Sequence, residues 1–214
     1  MRDAHLKVIF SRYLDERQKA PVSAVKERFS AFQLNVEGRM PDSLSRHTLR
    51  GGFLVSRAAD SDDTLQLNGG FMHESHFSMA GKDFSVALIP YPILMQYPER
   101  RLIIPEVHDY YKASVMSLAT IRPDGRRAPR VPDVDEAEAP HLIELALSHS
   151  IGHVMIRPER LPDGGFCADD GCIMGRIGTI LDLMRLKRES ADFCSSCREA
   201  IGDTVRSVQY YAMA

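Results

Sequence analysis

Cys167-Ala168-Asp169-Asp170-Gly171-Cys172-Ile173-Met174 and, with 21 residues between Cys172 and Cys194, Cys194-Ser195-Ser196-Cys197 together contain all four cysteines of the chain. Thiolates are soft ligands, and two cysteine pairs at this spacing supply the closed tetrahedral set that a structural zinc prefers, with no coordination position left open. Two disulfides are the competing arrangement for an extracellular chain. The first residues, Met1 to Lys7, mix charged and apolar side chains without a following apolar region, and no apolar run approaches about 18 residues. The expectation is a cytoplasmic protein with no membrane span, in which Cys167, Cys172, Cys194 and Cys197 hold one structural zinc.

Upstream lies His149-Ser150-Ile151-Gly152-His153. Residues four apart on a helix are offset by about 40°, so both imidazoles can face one ion, and Gly152 lets a second segment approach the same face closely. Taken alone, the spacing is equally compatible with packing or a surface role.

The rest of the composition narrows the class. With 214 residues, 44% hydrophobic and 26% charged, the chain has enough apolar material for one globular domain and no collagen-like or disordered bias. A formal charge of -2 removes the overall basic signal that binding a phosphate backbone needs. Arg176, Arg185, Arg188 and Arg198 near the cysteines would suit a nucleic-acid-binding zinc ribbon, but the acidic balance and the scarcity of aromatics there argue against nucleic acid as a partner. Arg122, Arg126, Arg127 and Arg130, followed at once by Asp133, Asp135, Glu136 and Glu138 among prolines, read as a solvated connection. Gly51-Gly52, Gly69-Gly70 and Gly164-Gly165 are turn dipeptides rather than phosphate cradles, and His73-Glu74-Ser75-His76 lacks a partner cluster.

Hydrophobic patterning predicts a strand over Leu6–Phe10, a helix over Pro21–Phe32, and loops joining short elements from Glu37 to Asp63. It further predicts strands at Phe84–Ile89 and Lys112–Ala119, and a core helix from about Pro140 to Ile156, stopped by Pro158. A last helix starts near Ser195. This order predicts an α/β fold, a mixed twisted sheet flanked by helices, with a C-terminal four-cysteine zinc module.

These residues resemble the archaemetzincins, a family of zinc metallopeptidases with the pattern HExxHxxGxxH followed by a cysteine-rich section of the form Cx4CMxCx17CxxC. The likeness runs from about Phe84 to Tyr211, and its cysteine spacing is the most specific part. His149 and His153 align with the first two histidines. Glu159 falls at the third ligand position, Ile156 at the turn glycine, and Met174 resembles the methionine turn beneath the catalytic metal. Seven extra residues, Arg160 to Phe166, separate the third ligand position from Cys167, and Gly175 stands where the family adds another cysteine. The resemblance implies a metzincin fold in one domain over residues 1–214, an upper α/β part (1–156) and a zinc-stapled part (157–214).

Ser150 occupies the position of the family's general-base glutamate, and a hydroxyl cannot accept the proton of a metal-bound water near neutral pH as a carboxylate does. Glu144 lies five residues before His149, about 140° around the helix, and points away. The expectation is a pseudopeptidase with no catalytic residue, serving as a structural or interaction component with a protein partner or a second copy. The alternative is an active zinc hydrolase with a second zinc on His149, His153 and Glu159 and a non-standard base.

Overall fold

The computed structural model describes residues 4–10, 14, 16–39, 53–57, 63–67, 84–89, 93–95, 105–108, 113–118, 134–162, 165–177, 180–189 and 191–211. The arginine and proline connection over 120–133 and the His73/His76 motif lie outside them.

Strand β1 (Ala4–Phe10) shows why the sheet is one-sided. Ala4, Leu6, Val8 and Phe10 are buried, while His5 and Lys7 between them are half-exposed. Short helix α1 (Glu16–Lys19) and helix α2 (Val22–Ser30) carry the chain over to β2 (Leu34–Arg39), which pairs parallel with β1. A parallel pair needs such a crossover. Pro21 stands at the N-cap of α2, Val22, Val25 and Phe29 bury its inner face, and Gln33 at φ 58 takes the left-handed conformation that turns the chain into β2.

Strands β3 (Phe53–Arg57), β4 (Asp63–Leu67) and β6 (Ile93–Met95) form a separate three-stranded sheet. The main sheet is completed by β5 (Phe84–Ile89), β7 (Pro105–His108) and β8 (Ala113–Ser117), in the order β2-β1-β5-β8-β7. It is parallel except for β7, which runs antiparallel to β8. The stretch from Glu37 to Asp63, expected to be loops joining short elements, therefore holds the end of β2 and the whole of β3.

Helix α3 (Ala139–Met155) packs on β5, β7, β8 and α2. Pro140 sits in its first turn, where a missing N–H costs nothing, and every residue from Leu145 to Gly152 is buried. A helix apolar on all sides belongs inside the molecule, and this one is the axle of the core. It ends as the sequence predicts: Ile156 is extended (φ -101, ψ 123), donating its N–H to the Gly152 carbonyl at 2.7 Å, two residues before Pro158. After a 3-10 turn at Pro158–Arg160 the chain reaches the first cysteine pair, helix α4 (Ile180–Arg188), the second pair and helix α5 (Ser195–Tyr211). Helices α4 and α5 both pack against α3. Among the described residues, no helix is long and apolar enough to cross a membrane.

Candidate metal centre

Turns on either side of α4 bring the four cysteines together. Asp169 Oδ1 accepts from Gly171 N–H at 3.0 Å, and the Cys172 N–H reaches the Asp169 carbonyl at 3.0 Å, folding Cys172 back toward Cys167. Cys172 then bridges in parallel to Asp192, whose carbonyl accepts from Ile173 N–H at 3.1 Å, which draws in Cys194 and Cys197 at the start of α5. All four sulfur atoms lie within 4.8 Å of one another, and Cys167 Sγ is 3.6 Å from Cys194 Sγ. A sulfur–sulfur bond measures about 2.05 Å, so these are free thiols. Four thiolates at Zn–S of about 2.3 Å in a tetrahedron would stand about 3.8 Å apart, which this cradle nearly meets.

The electrostatics of the quartet call for a cation. Cys172 is lowered to about 5, chiefly because Cys197 hydrogen-bonds its sulfur, while the same contact raises Cys197, and burial pushes Cys167 up to about 11. The hydrogen bond and burial thus favour the thiolate on Cys172 over those on Cys197 and Cys167, and a divalent ion would favour all of them. Backbone N–H groups already face the sulfurs: Cys194 and Met174 donate to Cys172 Sγ at 3.3 and 3.4 Å, and Asp169 to Cys167 Sγ at 3.5 Å. The donor set and its geometry fit a structural zinc.

The histidine pair stands on α3 against the same turn. His149 Nδ1–H donates to the Ile173 carbonyl at 2.7 Å, fixing its Nε2 as a lone pair, and His153 Nε2 lies 3.1 Å from that atom. Burial lowers His149 to about 4; burial and then the neighbouring His149 lower His153 to about 2, so both rings are neutral at pH 7. Gly152 faces Met174 so closely that a Cβ would lie 2.2 Å from its Sδ. The methionine turn thus packs directly beneath the pair, with Met174 fully buried.

The other site positions fall differently. Ser150 Oγ is 2.8 Å from Ser114 Oγ of β8, and both residues are fully buried, so the hydroxyl is bonded into the sheet. Glu159 is on the 3-10 turn with its side chain 69% exposed, 3.9 Å from Arg157. It does not join the histidines: among the described residues, the cysteine quartet is the group of three or more potential ligands close enough to share an ion. Phe166, one residue before Cys167, packs against both imidazoles instead, with ring centroids 6.4 Å from His149 and 5.4 Å from His153.

Sequence reasoning also missed an anchor. Arg28 of α2 donates to Glu144 of α3 at 2.6 Å and to Asp192 of the cysteine module at 3.1 Å, and Asp192 also pairs with Arg198. Glu144 and Asp192 both look like surface acids in the sequence. No local signal links Arg28 to them, since they lie 116 and 164 positions further along the chain.

A helix carrying paired histidines thus packs on a mostly parallel sheet, with Met174 against Gly152 and the cysteine quartet beyond it. In fold this chain is similar to solved archaemetzincins. An archaemetzincin from Methanopyrus kandleri superposes with a TM-score of 0.61 at 15% identity, over 95% of this chain and 96% of that one. An archaemetzincin from Archaeoglobus fulgidus, complexed with malonate, gives 0.57 at 12% identity over 92% and 99%. A zinc-dependent peptidase from Methanocorpusculum labreanum gives 0.55 at 16% identity, again over 92% and 99%. No protein-family profile matches the chain, and no curated protein sequence does. At these identities the likeness is one of fold.

Proposed function

We propose that this protein is a zinc-stapled relative of the archaemetzincins without peptidase activity, working as a structural or interaction component with a protein partner or a second copy of itself in the cytoplasm. Residues 1–214 form one domain, its 157–214 part held to the 1–156 part by one zinc on Cys167, Cys172, Cys194 and Cys197. The observation that carries the reading is Ser150: a fully buried hydroxyl bonded to Ser114 stands next to His149, where proton transfer from a metal-bound water would need a carboxylate. The quartet meanwhile keeps its four sulfur atoms within 4.8 Å of one another. Structure has been kept where the chemistry of hydrolysis has been lost.

The test is direct. Purified full-length protein incubated with excess zinc and a mixed peptide library is expected to leave the peptides intact over a day, with and without chelator. Cleavage that chelator abolishes and zinc restores, and that His153→Gln removes, would overturn the reading in favour of an active hydrolase.

A further inference from the structure

We propose that Phe166 fills the third coordination position beside His149 and His153, keeping that pair free of metal, and that Phe166→His alone completes a three-nitrogen zinc site. The inference deepens the reading above and rests on the geometry of the pair rather than on Ser150.

Two ligand atoms are already placed. A zinc bound by imidazoles at about 2.0–2.1 Å sets tetrahedral nitrogens about 3.3 Å apart, and the two Nε2 atoms stand at 3.1 Å. The Ile173 carbonyl holds His149 in the tautomer that ligation needs. Among the described residues, no third donor joins the pair. Phe166 encloses the pair from the side of the cysteine module, nearly parallel to His149 (14°) and nearly perpendicular to His153 (84°). A phenyl ring offers no lone pair, and Arg176 lies over it with its guanidinium carbon 5.6 Å from the centroid.

In that surrounding the two neutral imidazoles satisfy each other. Because His149 Nδ1 is the donor to Ile173, its Nε2 accepts, and His153 Nε2–H supplies the proton across the 3.1 Å contact. The position of Phe166 is set by its neighbours: Gly165 at φ 102 takes a left-handed conformation that a side chain would resist, and Cys167 N–H is bonded to the Met174 carbonyl at 2.8 Å. A histidine on this backbone would start from the same Cα, between the quartet and the pair.

The experiment is a metal count on full-length protein dialysed against zinc, with cobalt(II) substitution as a second readout. Phe166→His is expected to bind one equivalent of zinc more than the wild type, and the extra equivalent is expected to vanish in Phe166→His/His153→Gln. Cobalt-loaded wild type is expected to show thiolate-to-cobalt charge transfer alone, and cobalt-loaded Phe166→His an added nitrogen-ligated band. A folded Phe166→His variant with no extra equivalent would overturn the proposal. So would a wild-type equivalent that His153→Gln removes, a result readable even if Phe166→His fails to fold. Since the readout is a difference at the histidines, a quartet without zinc, or peptide cleavage by the wild type that survives His153→Gln, would refute the functional reading and leave this count to decide separately, whereas cleavage that His153→Gln removes would overturn both.

Discussion

The Nδ1–H of His149 donates to the carbonyl of Ile173 at 2.7 Å, and Ile173 lies between Cys172 of the thiol quartet and Met174 under the histidine pair. Three consecutive residues therefore join two chemically different sites. Cys172 belongs to the cradle, the Ile173 carbonyl orients His149, and Met174 fills the space that Gly152 leaves. Any ion that tightens the quartet must also tighten the imidazole pair.

Stripping metal from the quartet should accordingly loosen both. Structural zinc binding is worth on the order of 10 kcal/mol in small domains, and about 1 kcal/mol moves the melting temperature of a chain this size by about 2–4 °C. Cys172→Ser, or strong chelator, is expected to lower the melting temperature by about 10 °C or more. It is also expected to raise amide exchange from residue 167 onward and at the His149 end of α3. Unchanged melting in chelator would exclude a structural metal.

Gly152→Ala tests the contact beneath the pair. Alanine normally favours a helix by about 1 kcal/mol over glycine. Here its Cβ would lie 2.2 Å from Met174 Sδ and 3.2 Å from Phe193 Cε1. Overpacking of that kind costs about 1–3 kcal/mol, and more when the neighbours are locked. The variant is expected to be less stable than the wild type in urea, and Met174→Ala in the same chain is expected to recover part of the loss. An additive double-mutant cycle would show that the two side chains do not meet.

Arg28→Ala removes a side chain that pairs with both Glu144 of α3 and Asp192 of the cysteine module. Its side chain and that of Glu144 are only 19% and 14% exposed, so the loss leaves a largely buried carboxylate with His141, 3.3 Å away, in place of the guanidinium, at a cost of about 1–3 kcal/mol. Arg28→Lys is expected to restore less than half, because an ammonium cannot fork to both acids. Urea midpoints of the three proteins check this.

The neutral histidines set a pH dependence. Both are held below the ordinary 6.5, His149 at about 4 and His153 at about 2, so between pH 6.5 and 4 the unfolded chain binds protons that the folded chain does not. Stability rises with pH wherever the unfolded state binds more protons. The contribution is fully present above pH 6.5 and is lost as pH falls toward 4, at up to about 1.4 kcal/mol per pH unit for each ring. His149→Gln/His153→Gln is expected to flatten the decline in stability measured between pH 6.5 and 4.5. An unchanged slope would mean that the rings are no harder to protonate in the fold than out of it.

How far the sequence reached follows from where each signal resides. Strands β1, β5 and β8 and helices α3 and α5 were legible because burial there imposes apolar runs or periodicity. The cysteine spacing was legible because ligation fixes it. Strand β2 escaped, since only Leu34 and Val36 face the core and Asn35, Glu37 and Gly38 read as a loop. Helix α4 escaped inside the interval between the cysteine pairs, although Ile180, Leu183 and Leu186 recur at helical spacing. Glu159 aligned with a ligand by counting from His149, but its side chain is 69% exposed, 3.9 Å from Arg157. Which side chain meets the imidazoles depends on the turn at Gly165 and the bond from Cys167 N–H to the Met174 carbonyl, and no local pattern encodes that.

Restoring the missing carboxylate alone should restore nothing. Ser150→Glu would put an acid at a fully buried position now bonded to Ser114. The carboxylate must either displace the sheet contact or stay protonated, and burial raises its pKa in both cases. Even if it reached the histidines, the described residues around the pair offer two nitrogens and a phenyl ring. Ser150→Glu is expected to be less stable than the wild type by about 1–3 kcal/mol and inert toward peptides at any zinc concentration. Zinc-dependent cleavage by this single variant would show that the pair binds metal despite Phe166. The loss of activity would then trace to the base alone.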